Sequence, residues 1–173
     1  MEPIEGVDYA FDRPSIAGLA QVGKRFACRY VGMGSAAKLL TTPEAQELAS
    51  HGLSIVANVE GQADGMLGGR AAGREWAGRA SLHTAQCGMP LDRPIYLSVD
   101  FDVRETAWPR VADALRGAAD ILGPGRVGIY GGYDAVAWAA RDKVAHWFWQ
   151  TYAWSEGRWH PLTHIRQIGR AHV

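Results

Sequence analysis

A chain of 173 residues, 47% of them hydrophobic, is long enough to enclose one core and short for two, so a single domain over residues 1–173 is expected. Eighteen basic residues balance eighteen acidic ones with no lysine or arginine cluster, which excludes the electrostatic footprint of a nucleic-acid binder. The amino terminus has neither a positive start nor an apolar run and nothing later is long enough to span a bilayer, so no membrane partner is expected, and the location reads as cytoplasmic or as released or exported by another route.

Residues 6–11 read as a first strand, stopped by Asp12-Arg13-Pro14, after which Pro14 and Ser15 open a short apolar helix ending near Gly23. Residues 26–31 form a second strand, with Cys28 inside it. Cys28 and Cys87 are too few and too far apart for a disulfide framework or zinc ligands and read as reduced, buried thiols. Thr42 as a hydroxyl cap with Pro43 at the first helical position predicts a helix running to Gly52. Residues 53–60 make a third strand with Asn58 and Glu60 at its end, and the glycine-rich 61–69 reads as a mobile loop. Ala72, Trp76 and Ala80 at four-residue spacing predict a long helix over 70–87.

A fourth strand is expected over 93–102. Leu97, Val99 and Phe101 fall on one parity and Tyr96, Ser98, Asp100 and Asp102 on the other, so two carboxylates point the same way. Their Cα atoms would stand roughly 6–7 Å apart, a spacing suited to acid–base work or to holding a cation. Residues 108–122 are helical, with Val111, Leu115, Ala118 and Leu122 on one stripe; 126–131 form a fifth strand, 133–144 a short helix, 147–154 a sixth strand and 164–168 a seventh.

Alternating strand and helix argues for an α/β fold with parallel strands joined by helical crossovers, either an open doubly wound sheet or a barrel. Asp8, Arg29, Asn58 with Glu60, Asp100 with Asp102, Tyr130 and Gln150 form one polar set at the strand ends. Nearly every strand donates a polar residue, as in a barrel whose site lies at the C-terminal ends of its strands, whereas an open sheet concentrates such groups at one crevice. A full eight-unit barrel usually takes about 250 residues, so a reduced or incomplete TIM-barrel-like (β/α) fold with about seven parallel strands is expected.

Gly32-Met33-Gly34-Ser35 imitates a dinucleotide fingerprint but does not open into a helix, and Gly68-Gly69-Arg70 lacks the lysine and hydroxyl of a phosphate loop. His160 and His164 lack a cysteine pair, and no serine or cysteine has an activating partner, so no cofactor and no metal is expected. Trp147 and Trp149 take the outward, helix-facing parity; Trp154 shares the inward parity of Gln150 and Tyr152, where its ring could stack on a sugar.

Gly6-Val7-Asp8, Arg29-Tyr30, Lys38-Leu39-Leu40-Thr41, the stretch Ile95-Tyr96-Leu97-Ser98-Val99-Asp100-Phe101-Asp102, Val127-Gly128-Ile129-Tyr130-Gly131, and Trp149-Gln150-Thr151 with Ala153-Trp154-Ser155 occur in this order over almost the whole chain. Jointly they resemble the glycoside hydrolase-like TIM-barrel domain family, catalogued as a domain of unknown function and found in actinobacterial and phage lysin-like proteins. The resemblance implies a barrel related to the lysozymes that cut peptidoglycan. In those muramidases an aspartate ends the first strand and an Asp-x-Glu ends the fourth, its glutamate serving as general acid. Asp8 matches the first, Asp100 the second, and Asp102 takes the place of the glutamate, one methylene shorter. The family pattern also continues past Gln167 to a further strand ending in an aspartate.

The expectation is a glycoside hydrolase-like domain acting on a bacterial cell-wall polysaccharide. Asp102 would donate the proton, its pKa raised by neighbouring carboxylates, and Asp100 or Asp8 would stabilise the oxocarbenium-like state or orient water. Arg29, Glu60, Tyr130, Gln150 and Trp154 would bind the glycan. Two alternatives stay open: a glycan-binding or scaffold module without chemistry, and a metal-dependent phosphodiesterase using Asp8, Glu60, Asp100 and Asp102 on a hard cation. Oligomeric state is not constrained.

Overall fold

The computed structural model describes residues 3–169. Its elements follow the expected order: β1 (Gly6–Asp8), α1 (Ile16–Gln21), β2 (Phe26–Tyr30), α2 (Thr42–Ser50), β3 (Ser54–Val59), α3 (Gly69–Gln86), β4 (Ile95–Ser98), α4 (Trp108–Leu122), β5 (Val127–Gly131), α5 (Tyr133–Arg141), β6 (Trp147–Thr151) and β7 (Ile165–Gln167). Ser15 caps α1 by accepting from the Gly18 amide at 3.1 Å. Thr41, one residue before the expected cap, accepts from the Glu44 amide at 3.4 Å, so Pro43 still falls in the first turn of α2, where its missing N–H is not needed.

All seven strands are parallel and lie side by side in chain order, β1 to β7. A doubly wound sheet reverses its strand order partway; this one does not, so right-handed crossovers place every helix on the same face and the twisted sheet curls into an open barrel. Among the described residues, hydrogen-bonded neighbours exist on one side only of β1 and of β7.

Two cores result. Between sheet and helices, Ala27, Ala57, Ile95, Leu97, Val127, Ile129 and Phe148 pack against Trp76, Val111, Leu115 and Val136. Inside the barrel, Cys28, Tyr96, Tyr130 and Trp149 form a second cluster, with Trp149 edge-on to Tyr130 at 4.8 Å and to Tyr96 at 5.9 Å between ring centroids. Helices α3 and α4 cross where Gly73 lies on the Ala114 backbone and Gly117 on that of Arg70, with no room for a Cβ on either glycine. Cys28 and Cys87 are both buried and free.

Three expectations are corrected. The 61–69 segment is packed: Met66 is fully buried, Gly65–Gly68 form a 3-10 turn, and Gly61 and Gly65 lie against the Trp76 ring. β4 ends at Ser98, so Asp100 and Asp102 belong to the loop that follows it. The third concerns which face each strand shows. Register pairs Arg29 with Ala57 and Ala57 with Ile95, all on the helix-facing side, and pairs Gln150 with Gly131 on that same side. Trp149 pairs with Tyr130 and faces inward. Parity within a strand is strict, but a polar residue does not reveal which side of the sheet it takes when the helix side supplies a polar partner.

Candidate active site

Every strand sends a side chain to the inner rim at the C-terminal end of the barrel. Asp8 comes from β1, Tyr30 from β2, Asn58 and the following Glu60 from β3, Ser98 and then Asp100 from β4, Tyr130 from β5, Thr151 from β6 and Gln167 from β7. The register makes these one face, because residues paired across parallel strands point the same way. Asn58 Nδ2 donates to Ser98 Oγ at 2.9 Å, tying the ends of β3 and β4 inside the barrel.

Asp8 is the focus of this rim. Its Oδ2 accepts from Gln167 Nε2 at 2.9 Å, and its Oδ1 is enclosed without a hydrogen-bond partner among the described residues. Burial, aided by the Glu60 charge, pushes its pKa up to about 6, against the opposing pull of Arg29, Lys38 and the Gln167 hydrogen bond. A carboxyl whose neutral form is favoured by enclosure is suited to proton transfer near neutral pH. Burial also raises Tyr30 far above its ordinary value and pushes Tyr130 up to about 12, and Asp8, Glu60 and Asp100 add to both shifts. These three carboxylates and two phenols therefore form one electrostatic cluster.

Glu60 is ion-paired with Lys38, whose Nζ also stands 4.0 Å over the Tyr30 ring. Among the described residues no three His, Cys, Asp or Glu side chains meet in a geometry that would hold a metal ion, which does not assemble the cation site expected from Asp8, Glu60, Asp100 and Asp102. Asp100 is half-buried, whereas Asp102 is exposed, four residues past the end of β4.

Arg29 and Gln150, expected to contact substrate, present no atom to the rim. Arg29 is fully buried; its Nε donates to Glu44 Oε1 at 2.6 Å, its other nitrogens reach the Tyr9 and Lys38 carbonyls, and its guanidinium covers the Tyr9 ring at 4.2 Å. Burial pushes the Glu44 carboxyl up, but Arg29, Tyr9 and Arg13 outweigh it and hold its pKa below the ordinary value. Gln150 is also fully buried. Its Nε2 donates to Ser155 Oγ at 3.0 Å and to the Arg158 carbonyl at 2.7 Å, while its Oε1 accepts from the His160 amide at 2.9 Å and Thr163 Oγ1 at 3.1 Å.

That network builds the helix-free connection from β6 to β7. Ser155 Oγ, itself buried, donates to the Thr151 carbonyl at 2.6 Å and accepts from the Tyr133 amide at 3.0 Å. Trp154 lies beyond β6, not within it, at φ 55°, and is 37% exposed beside the 60% exposed Tyr152. The loop rests on Gly132, where a Cβ would stand 2.8 Å from the Trp154 carbonyl oxygen. A non-glycine residue in the left-handed region is strained, and the surrounding hydrogen bonds hold it there. Sequence reasoning missed Gln167, Tyr30, Ser98, Thr151 and Lys38 as rim residues. For Gln167 the alternation within 164–168 offered a signal, but its partner lies at the other end of the chain.

The family model of the "Rv2525c-like, glycoside hydrolase-like domain" matches residues 17–173. A Mycobacterium tuberculosis protein named "Putative peptidoglycan hydrolase Rv2525c" is 30% identical over 174 residues, which cover 94% of this chain and 72% of that protein. The crystal structure of the Mycobacterium tuberculosis Tat-secreted protein Rv2525c in complex with L-tartrate superposes with a TM-score of 0.86 at 29% identity, covering 93% of this chain and 84% of that one. A muramidase from Trichobolus zukalii shares the fold, with a TM-score of 0.62 at 17% identity over 91% of this chain and 81% of its own. With that family model matching nearly the whole length, the chain belongs to the Rv2525c-like, glycoside hydrolase-like domain family.

Proposed function

We propose that the chain hydrolyses a glycosidic bond of bacterial cell-wall peptidoglycan, in the manner of a muramidase, by carboxyl acid–base chemistry. The observation that carries this reading is the enclosed Asp8 at the rim, with a pKa pushed up to about 6 and with Glu60 acting on it electrostatically. The name of the mycobacterial relative supports the substrate class. In this reading Asp8 carries the proton and Asp100, half-buried in the loop after β4, stabilises the oxocarbenium-like centre. Trp154, beyond β6 and 37% exposed, offers a stacking face for a sugar ring. The proton-donor role that the resemblance gives to Asp102 passes to Asp8, because Asp102 is exposed and outside the cluster.

The test is incubation of the native chain, Asp8→Asn, Asp100→Asn and Asp102→Asn with purified peptidoglycan, scoring soluble sugar fragments by mass spectrometry. The native chain is expected to release fragments, Asp8→Asn to lose at least about 100-fold in rate, and Asp102→Asn to keep most of it. Loss in Asp102→Asn with activity retained in Asp8→Asn would return the acid role to Asp102. The second reading, a glycan-binding module without chemistry, is favoured by the pairing of Glu60 with Lys38 and by the withdrawal of Arg29 and Gln150 from the rim. It predicts retention of every variant on the wall material with no fragment released.

A further inference from the structure

β1 and β7 are the two free edges of the sheet, and no strand joins them among the described residues. At the C-terminal end of the barrel they are joined by side chains. Gln167, the last residue of β7, reaches across to Asp8, the last residue of β1, over a sequence separation of 159. The Gln167 amide has its orientation set from the other side: Tyr130 Oη donates to Gln167 Oε1 at 2.9 Å, which turns Nε2 toward Asp8. An amide has one donor end and one acceptor end, so occupying its oxygen with the phenol commits its nitrogen to the carboxylate.

We propose that Gln167 and Tyr130 are positioning residues that clasp Asp8 across the open side of the barrel, holding Oδ2 as an acceptor and leaving Oδ1 to take the proton. The inference rests on Asp8 being the proton-carrying carboxyl of the proposed hydrolase. Its geometric basis is the asymmetry of the carboxyl: one oxygen engaged by a committed donor, the other enclosed and unpartnered among the described residues. An ionised carboxylate with an enclosed bare oxygen is costly, and a proton on that oxygen relieves the cost without breaking the Gln167 bond. The other groups acting on Asp8 are Glu60 after β3, Arg29 on β2 and Lys38 in the β2–α2 connection. Cys28, Tyr30 and Tyr130 feel the Asp8 charge in turn, and Asp100 acts on both tyrosines. Gln167 is the one neutral side chain that donates a hydrogen bond to Asp8 among the described residues, so removing it changes the titration of Asp8 without removing a charge.

The test is a carbon-13 carboxyl NMR titration of Asp8, assigned by its absence in Asp8→Asn, in the native chain, Gln167→Ala, Gln167→Glu and Tyr130→Phe. Loss of the donor in Gln167→Ala is expected to move the Asp8 midpoint up by roughly half to one pH unit, since that donor favours the ionised form. Tyr130→Phe shifts it in the same direction by less, because the amide remains but is free to turn. Gln167→Glu, with a second carboxyl in place of the donor, shows the highest midpoint of the set. If Gln167→Ala does not fold, Tyr130→Phe decides alone. A folded variant whose Asp8 midpoint matches the native one overturns the clasp. On peptidoglycan, the alkaline limb of the rate profile moves up with the midpoint, and kcat changes more than KM. A native chain that releases no fragment defeats the proposed hydrolase, while the titration still decides the clasp.

Discussion

At pH 7 the Asp8 carboxyl is largely ionised inside surroundings that favour its neutral form, with a pKa of about 6 set by burial and then by Glu60. The folded state therefore binds a proton more tightly than the unfolded chain, whose aspartates titrate near about 4. Between those values the native state holds more protons, so the contribution of Asp8 to stability declines as pH rises from about 4 to about 6, and a shift of about two units corresponds to about 3 kcal/mol. Asp8→Asn removes the titrating group and keeps the shape. It is expected to raise unfolding free energy at pH 7 by about 2–3 kcal/mol and to flatten the decline between pH 4 and 6, read from urea midpoints across that range. A variant no more stable than the native chain at pH 7 would mean that Asp8 is not strained by its surroundings. The same residue marks a limit of reading letters alone. The residues alone predict a first strand running on to Phe11, and only the resemblance puts Asp8 at its end; the charge of Glu60 and the hydrogen bond of Gln167 reach Asp8 only in the folded barrel.

At the scale of elements, two buried polar side chains do structural work that their strand positions did not advertise. Arg29 on β2 secures α2 through Glu44, at 2.6 Å with both side chains withdrawn from solvent. Gln150 on β6 organises the connection to β7 with its four hydrogen bonds, and that connection carries Trp154 and Tyr152. Gln150→Ala would leave the Arg158 carbonyl and the His160 amide without their partner, a loss of about 2–4 kcal/mol. The expected result is a lower thermal midpoint, earlier proteolytic cleavage between residues 152 and 163, and weaker retention on wall material. Unchanged proteolysis of that segment would show that the loop is held by something else. Polar side chains at strand ends suggest one shared inner face, but the outer face offers Glu44 to Arg29 and the Ser155 loop to Gln150.

At the scale of the whole molecule, seven parallel strands in unbroken order leave two edges at which β1 and β7 have one neighbour each among the described residues. Central strands β3 to β5 are hydrogen-bonded on both sides and covered by α3 and α4, so their amides are expected to exchange only through global unfolding. Amides of β1 and β7 are expected to exchange first, and Gln167→Ala to speed exchange in both together; hydrogen exchange read by mass spectrometry or NMR checks this, and equal protection across all seven strands would contradict it. The count, order and direction of the strands, the helices between them and the barrel were readable from the chain because hydrophobic period, caps and breakers act over a few residues. The sequence also points to Asp8, Asn58 and Tyr130 near the C-terminal ends of their strands, whereas Glu60 and Asp100 follow β3 and β4 in the loops. Which face Arg29, Trp149 and Gln150 take, where β4 stops, and that Gln167 meets Asp8 were decided only by the tertiary structure, because each depends on a partner brought close by strand register and by the curl of the sheet.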